Sequence, residues 1–198
     1  MKSESKSWAT TLHEMFTDRK YKVEDLQCEN IIQDLTQTDS KDFFVYDSQD
    51  KCVCIAYLSS DQTTGNVGKN DIITIMNDKM KPNGSNRCII ILDNVKLTPA
   101  AKTEIQLHFP LHIFETFDIS SLDFNITKCD TVPNHMILSD EEAEKVLKKY
   151  KITRKEMPKI LYEDAVARYL GMLPGQICKI TRISENGGLI FFHRVCIL

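Results

Sequence analysis

The chain of 198 residues carries 25 Lys+Arg against 28 Asp+Glu, a formal net charge of −3, with 42% hydrophobic and 27% charged residues. That composition excludes a disordered tract and fits one ordinary domain or two small ones. No apolar run approaches the roughly 20 residues of a bilayer span, and the opening "MKSESKSWATTLHEMF" has no apolar block, so neither a membrane anchor nor a signal peptide is expected.

Trp8, Leu12, Met15 and Phe16 recur at helical spacing, and Leu26, Ile31 and Leu35 predict a second helix. "FFVYD" and "CVCIAYL" are rich in aromatic and β-branched residues and predict strands. Asn70 or Asp71 is expected to cap a helix carrying Ile72, Ile75, Met76 and Met80 on one stripe. "PNGSN" ends it, and "RCIIILD" has the continuous apolar character of a strand buried on both faces. Thr98-Pro99 supplies an N-cap and a first-turn proline for the next helix, and "LHIFE" predicts another strand. Strands alternating with helices imply a small sheet with helices packed on it.

The polar stretch 126–135 has the character of a linker. Beyond it, Ser139 and Glu142 are spaced as a capping box, with Ala143, Val146, Leu147 and Tyr150 as the apolar stripe. A short helix at 164–170 follows, capped by Asp164 and ended by Gly171 in a left-handed conformation. Gly175 leads into the strand "QICKITRI", "SENGG" forms a turn whose Gly187 and Gly188 meet its need for positive φ, and "LIFFHRVCIL" returns. The expectation is a mixed α/β and α+β protein. A helix-flanked sheet occupies 1–128, a linker 129–134, and a compact α+β unit built on a β-hairpin 135–198.

Seven scattered cysteines, with Cys52-Val53-Cys54 as the one close pair, read as reduced, buried thiols and not as a disulfide framework or zinc site. Pro110 lies between His108 and His112 and spoils a helical chelate. Charge is unevenly spread: residues 1–144 hold 14 Lys+Arg against 24 Asp+Glu, or −10, and residues 145–198 hold 11 against 4, or +7. Such asymmetry points to an acidic partner for the basic end, nucleic acid or protein, or to mutual neutralisation of the two halves. Asp42, Asp47, Asp50 and Lys51 raise the alternative of a metal-dependent nuclease, but they lie in one loop-like run and read as turn residues. No phosphate loop, nucleophile elbow or paired metal motif is present elsewhere.

An ordered set of pieces in the last 64 residues carries a family resemblance. They are "HMILS" at 135–139, Tyr150, "MPKI" at 157–160, Asp164 with "VARYLG" at 166–171, Gly175-Gln176, Lys179-Ile180, Arg182, Ser184-Glu185, Gly188 and Arg194. Together they resemble the C-terminal domain of the fifth subunit of eukaryotic nuclear RNA polymerases, the counterpart of the archaeal H subunit. Upstream, "DRKYKV", "NVGKND", "RCIIILDNVKLTPAAK" and "FETFDISSLDFNITK" follow the order of that family's N-terminal jaw domain. The two-domain type occurs in eukaryotes and in large DNA viruses that encode a polymerase. Ala165 stands where proline is usual, and Asn186 and Gly187 depart from the usual Thr-Ala or Thr-Ser, the mark of a divergent lineage.

The resemblance implies a non-catalytic subunit of a DNA-directed RNA polymerase, with no cofactor, metal, membrane or small-molecule substrate. Its C-terminal domain would dock on the largest subunit, among other polymerase subunits, through Pro158, Arg168, Tyr169, Lys179, Arg182, Ser184, Glu185 and Arg194. Asp164, Gly171, Gly175 and Gly188 would serve the fold. Salt bridges inside the domain, for instance to Glu185, are the alternative role for the basic residues. The N-terminal domain would form part of the lower jaw beside downstream double-stranded DNA, met weakly and without sequence preference through Gly68, Lys69, Thr98, Pro99, Ala100 and Lys102. A nuclear location follows for a cellular protein, host cytoplasm or virion for a viral one. A free transcriptional adaptor of the same fold is the remaining alternative.

Overall fold

A computed structural model describes residues 7–22, 42–47, 51–59, 65–184 and 186–198, so the second N-terminal helix, Cys28, Asp50 and Glu185 lie outside the described residues. The chain divides into two compact units, residues 1–124 and 125–198. Both mix helices and strands, so the described fold is α+β.

The first unit begins with α1 (Ser7–Asp18), which buries Trp8, Leu12, Met15 and Phe16 as its periodicity predicts. Strands β1 (Asp42–Tyr46), β2 (Cys52–Ser59), β4 (Arg87–Asp93) and β6 (Ile113–Asp118) form a sheet in the order β1-β2-β4-β6. The β1–β2 pair is antiparallel, while β2–β4 and β4–β6 are parallel. Parallel neighbours need crossovers, and two helices supply them. The first is α2 (Lys69–Thr74), which runs on into a π-helical turn (Ile75–Met80); the second is α3 (Pro99–His108).

Cys54, Ala56 and Leu58 of β2, with Cys88, Ile90 and Leu92 of β4, face one core. Ile72, Ile75, Met76 and Met80 pack into it from the crossover, so the expected stripe is the one used. The intervening residues of β4, Ile89 and Ile91, are also buried, which confirms a strand covered on both faces. Ser85, in the "PNGSN" turn, accepts from the Cys54 amide at 3.2 Å and donates to the Arg87 carbonyl at 2.7 Å, tying the start of β4 to β2.

One expectation is corrected here. The α2 cap is Gly68, not Asn70 or Asp71; Asp71 sits one turn in and its carboxylate accepts from the Gly68 amide at 2.7 Å. A carboxylate at the third helical position satisfies an amide that the cap residue itself leaves open.

The second unit is a four-stranded sheet in the order β7-β9-β10-β8, made of β7 (Asn134–Ile137), β8 (Lys159–Leu161), β9 (Ile177–Ile183) and β10 (Leu189–Ile197). The β9–β10 hairpin is as expected, but β7 and β8 add a strand on each side, one antiparallel and one parallel. Two small cores lie on the two faces. Helix α4 (Asp140–Tyr150) covers Ile177 and Val195 through Leu138, Ala143 and Leu147, and α5 (Ala165–Tyr169) covers Cys178, Ile180 and Cys196 through Ala167 with Met172.

The local signals for these helices hold. Ser139 Oγ accepts from the Glu142 amide at 3.3 Å and Glu142 accepts from the Ser139 amide at 3.0 Å. Asp164 accepts from the amides of Val166 and Ala167 at 2.9 and 3.2 Å, and Gly171 follows at φ +66. Tyr150 departs from its stripe: it is exposed, its ring 5.8 Å from that of His193. Of the two hairpin glycines only Gly187 has positive φ (+76). Gly188 instead donates its amide to Ser184 Oγ at 3.0 Å, and an added Cβ would sit 3.4 Å from that oxygen.

Candidate functional site

Three of the motif segments in the first unit converge on one buried charge network. Arg19 Nη2 lies 2.6 Å from Glu115 Oε2 and Arg87 Nε lies 3.1 Å from Glu115 Oε1, with all three side chains largely withdrawn from solvent. The Tyr21 hydroxyl accepts from both arginines, at 3.4 and 3.0 Å. Glu115 is on the sheet face opposite the Cys88–Ile90 core, because side chains alternate along β4 and β6. The network therefore fastens the end of α1 to the sheet. Sequence reading singled out these segments without seeing this, because the pairing joins residues 96 apart.

The expected DNA-proximal residues are brought together. Short parallel pairing of β3 (Asn66–Val67) with β5 (Lys96–Leu97) sets the starts of α2 and α3 side by side. Thr98 Oγ1 accepts from the Ala101 amide at 3.2 Å and donates to the Val67 carbonyl at 3.0 Å, so it caps α3 and holds Gly68 beside it. Pro99, Ala100 and Lys102 are exposed. Lys69 is committed to Glu104, 2.9 Å away, and that hydrogen bond, aided by His108, holds the Glu104 carboxyl below the usual carboxylate range.

Of the four residues of the nuclease alternative, Asp50 lies outside the described residues. Asp47 accepts from the Lys51 amide at 2.9 Å, which makes it a turn residue between β1 and β2. No cluster of three metal-ligating side chains occurs among the described residues. Five of the six described cysteines are buried; Cys129 is exposed, against the expectation of a buried thiol, and its hydrogen bond with Thr131 lowers its pKa.

The expected interface residues of the second unit separate into three kinds. Tyr169 is internal: it is 4% exposed and its hydroxyl accepts from Asn125 Nδ2 at 2.8 Å. Ser184 closes the hairpin, its amide donating to the Gly188 carbonyl at 2.7 Å. Pro158 is exposed while its carbonyl accepts from the Val195 amide, and Arg168, on α5, is half-buried.

The three remaining basic residues sit on the hairpin, but not on one face. Register places Lys179 opposite His193, Arg182 opposite Ile190 and Arg194 opposite Cys178. With a period of two, Arg182 and Arg194 share the α5 face and Lys179 is on the α4 face. Mutual repulsion among all three is thus relieved by geometry. Each also has a local partner: the Lys179 ammonium is 4.1 Å from the Phe191 ring centre, the Arg182 guanidinium 5.4 Å from that of Phe192, and Arg194 Nη1 is 3.4 Å from the Lys159 carbonyl. Among the described residues none of them forms a salt bridge.

Sequence reading missed the apolar half of this surface. Ile183, Leu189, Ile190, Phe191 and Phe192 are each 43–76% exposed, because the far half of the hairpin extends past both small cores. The signal was present as the continuous run "LIFF", which a half-exposed strand would break with polar residues. Adjacent exposed aromatic and aliphatic groups mixed with arginine have the make-up of a protein-docking surface.

The described fold is that of a two-unit α+β protein whose second unit carries a partly uncovered hairpin. Comparison with known proteins gives the family. The model of "RNA polymerase Rpb5, C-terminal domain" matches residues 124–196. The DNA-directed RNA polymerases I, II, and III subunit RPABC1 of Caenorhabditis elegans is 34% identical over 119 residues, 60% of this chain and 56% of that protein, and that of Caenorhabditis briggsae matches to the same extent. The match thus spans little more than half of those two relatives. The rpabc1 protein of Dictyostelium discoideum is 30% identical over 190 residues, 94% of both chains. The chain belongs to the RPABC1, or Rpb5, family.

Proposed function

We propose that this chain is a non-catalytic subunit of a multisubunit DNA-directed RNA polymerase, acting in transcription in the nucleus, or in the cytoplasm or virion if its genome is viral. The observation that carries this reading is the match to a polymerase subunit along 94% of the chain. Its second unit docks on the largest subunit through the α5 face of the hairpin, where Arg182 and Arg194 flank exposed Ile190 and Phe192. Burial of one such side chain is worth about 1.5–3 kcal/mol, and arginine with aromatic residues supplies the centre of many interfaces. The first unit forms part of the lower jaw. The paired starts of α2 and α3, with exposed Lys102, face downstream double-stranded DNA there, weakly and without sequence preference.

Purification of the tagged chain from its source tests this: the two large polymerase subunits should co-purify at equal stoichiometry and survive high salt. Recovery as a free monomer would overturn the reading, and substoichiometric, salt-labile association would favour a free adaptor. Arg182→Glu should reduce incorporation at least tenfold with the fold retained. Global unfolding of that variant would move Arg182 to an internal role.

A further inference from the structure

On the α4 face of the same hairpin, opposite Arg182, an open groove of about 410 Å³ runs between α4 and strands β7, β9 and β10. Met136, Leu138 and Val146 give it an apolar floor, and Met136 is half-exposed. Lys145 and Lys149 of α4 stand on one wall and Lys179 of β9 on the other. Among the described residues none of these three lysines forms a salt bridge.

The one carboxylate in the lining, Glu142, is turned back to the Ser139 amide at 3.0 Å, and the charges of Lys145 and Lys179 act on it only after that bond, so it serves the helix start first. Three lysines thus stand over an apolar floor against one lining carboxylate, which is already bonded to a backbone amide, and positive charge is in excess there. Burial, and after it the charges of Lys179 and Lys149, lower the pKa of His193.

The aromatic rings are already engaged. Lys179 lies over Phe191 and Lys149 over Tyr150 at 5.6 Å, while Tyr150 and His193 are tilted together. Ring faces covered in this way are poorly placed to stack on nucleic-acid bases, whereas ammonium groups held on rings point their remaining donors outward to carboxylates.

We propose that this groove binds an acidic peptide segment of a partner protein, with aspartate or glutamate side chains on Lys145, Lys149 and Lys179 and interspersed apolar side chains on the Met136–Val146 floor. The site is separate from the Arg182 face and does not depend on the polymerase reading. A ligand carboxylate placed among Lys145, Lys149 and Lys179 opposes the charges that depress His193 and raises its pKa.

The test uses the full-length chain and a fluorescein-labelled peptide alternating aspartate with leucine and phenylalanine, followed by anisotropy. Saturable binding is expected, weakened about tenfold by the double variant Lys145→Glu/Lys179→Glu, unchanged by Arg182→Glu, and accompanied by an upward shift of the His193 titration in NMR. If the double variant fails to fold, Met136→Glu, which sets an acid on the half-exposed floor, should weaken the peptide to a similar degree. Equal affinity for wild type and variants, tighter binding of oligothymidylate than of the peptide, or loss of peptide binding in Arg182→Glu would each overturn the proposal. Failure of the chain to co-purify with polymerase would leave this result untouched, so the two readings fail separately.

Discussion

The two units solve the same problem, covering a four-stranded sheet, with opposite consequences. In the first, parallel strands joined by α2 and α3 are buried on both faces, and even its charged residues Arg19, Arg87 and Glu115 are drawn inside. In the second, α4 and α5 pack over the end of the hairpin that holds Ile177, Cys178, Val195 and Cys196, so its far half stands in solvent on both faces. Charge follows the same division: 13 Lys+Arg against 19 Asp+Glu in residues 1–124, a net −6, and 12 against 9 in residues 125–198, a net +3. A sheet finished internally makes a stable body; a sheet left uncovered at one end offers a partner its apolar and basic groups.

This contrast can be broken most directly at Glu115. Glu115→Gln removes the charge shared by two buried guanidinium groups and should cost roughly 3–5 kcal/mol, read by urea denaturation, with the NMR spectrum of residues 125–198 unchanged. A change under about 1 kcal/mol, the range of surface pairs, would mean that the first unit does not rely on its interior charges. Next in size, Thr98→Ala removes both the side-chain cap of α3 and the hydroxyl bond to the Val67 carbonyl, leaving the backbone bond between them, with an expected loss of about 1–2 kcal/mol. Asp164→Ala removes the α5 cap at about 1 kcal/mol. That variant sharpens the comparison, because its lost stability should be confined to the second unit.

The smallest effect is a pH dependence. The Ser139 amide holds the Glu142 carboxyl below its ordinary value, so its contribution to folding is present above the unfolded glutamate pKa of about 4.3 and is lost as pH falls through the lowered folded value. Glu142→Gln keeps an acceptor for the capping box and should flatten the acid limb of stability against pH, measured by thermal melts between about pH 2 and 6. An unchanged acid limb would show that the capping charge is silent.

What could be read along the chain was whatever depends on near neighbours. Ser139 with Glu142, Asp164 with Gly171, Thr98 with Pro99, and the stripe Ile72–Met80 declare themselves because a cap or a helical face is decided within a few residues. The ordered C-terminal motifs likewise carried the family. Strands β7 and β8 were not legible, since segments of four and three residues have too little periodicity to stand out from loops, and they exist only because β9 and β10 offer them edges.

The candidate surfaces needed the folded molecule for the same reason. Lys179 and Arg182 look like neighbours in sequence, yet strand alternation sends them to opposite faces, and only sheet register sets Lys179 opposite His193 and Arg182 opposite Ile190, with the rings of Phe191 and Phe192 diagonally within reach. Lys69, expected as a DNA-proximal charge, is ion-paired with Glu104, 35 positions away, a contact that sequence reading did not anticipate. The sequence alone determined the local stops, caps and stripes and the family, because those are set by short-range chemistry and by ordered motifs. Which charges are paired, which apolar groups stay exposed and which residues share a face were decided by tertiary structure, because each depends on contacts between segments that the chain brings together only when it folds.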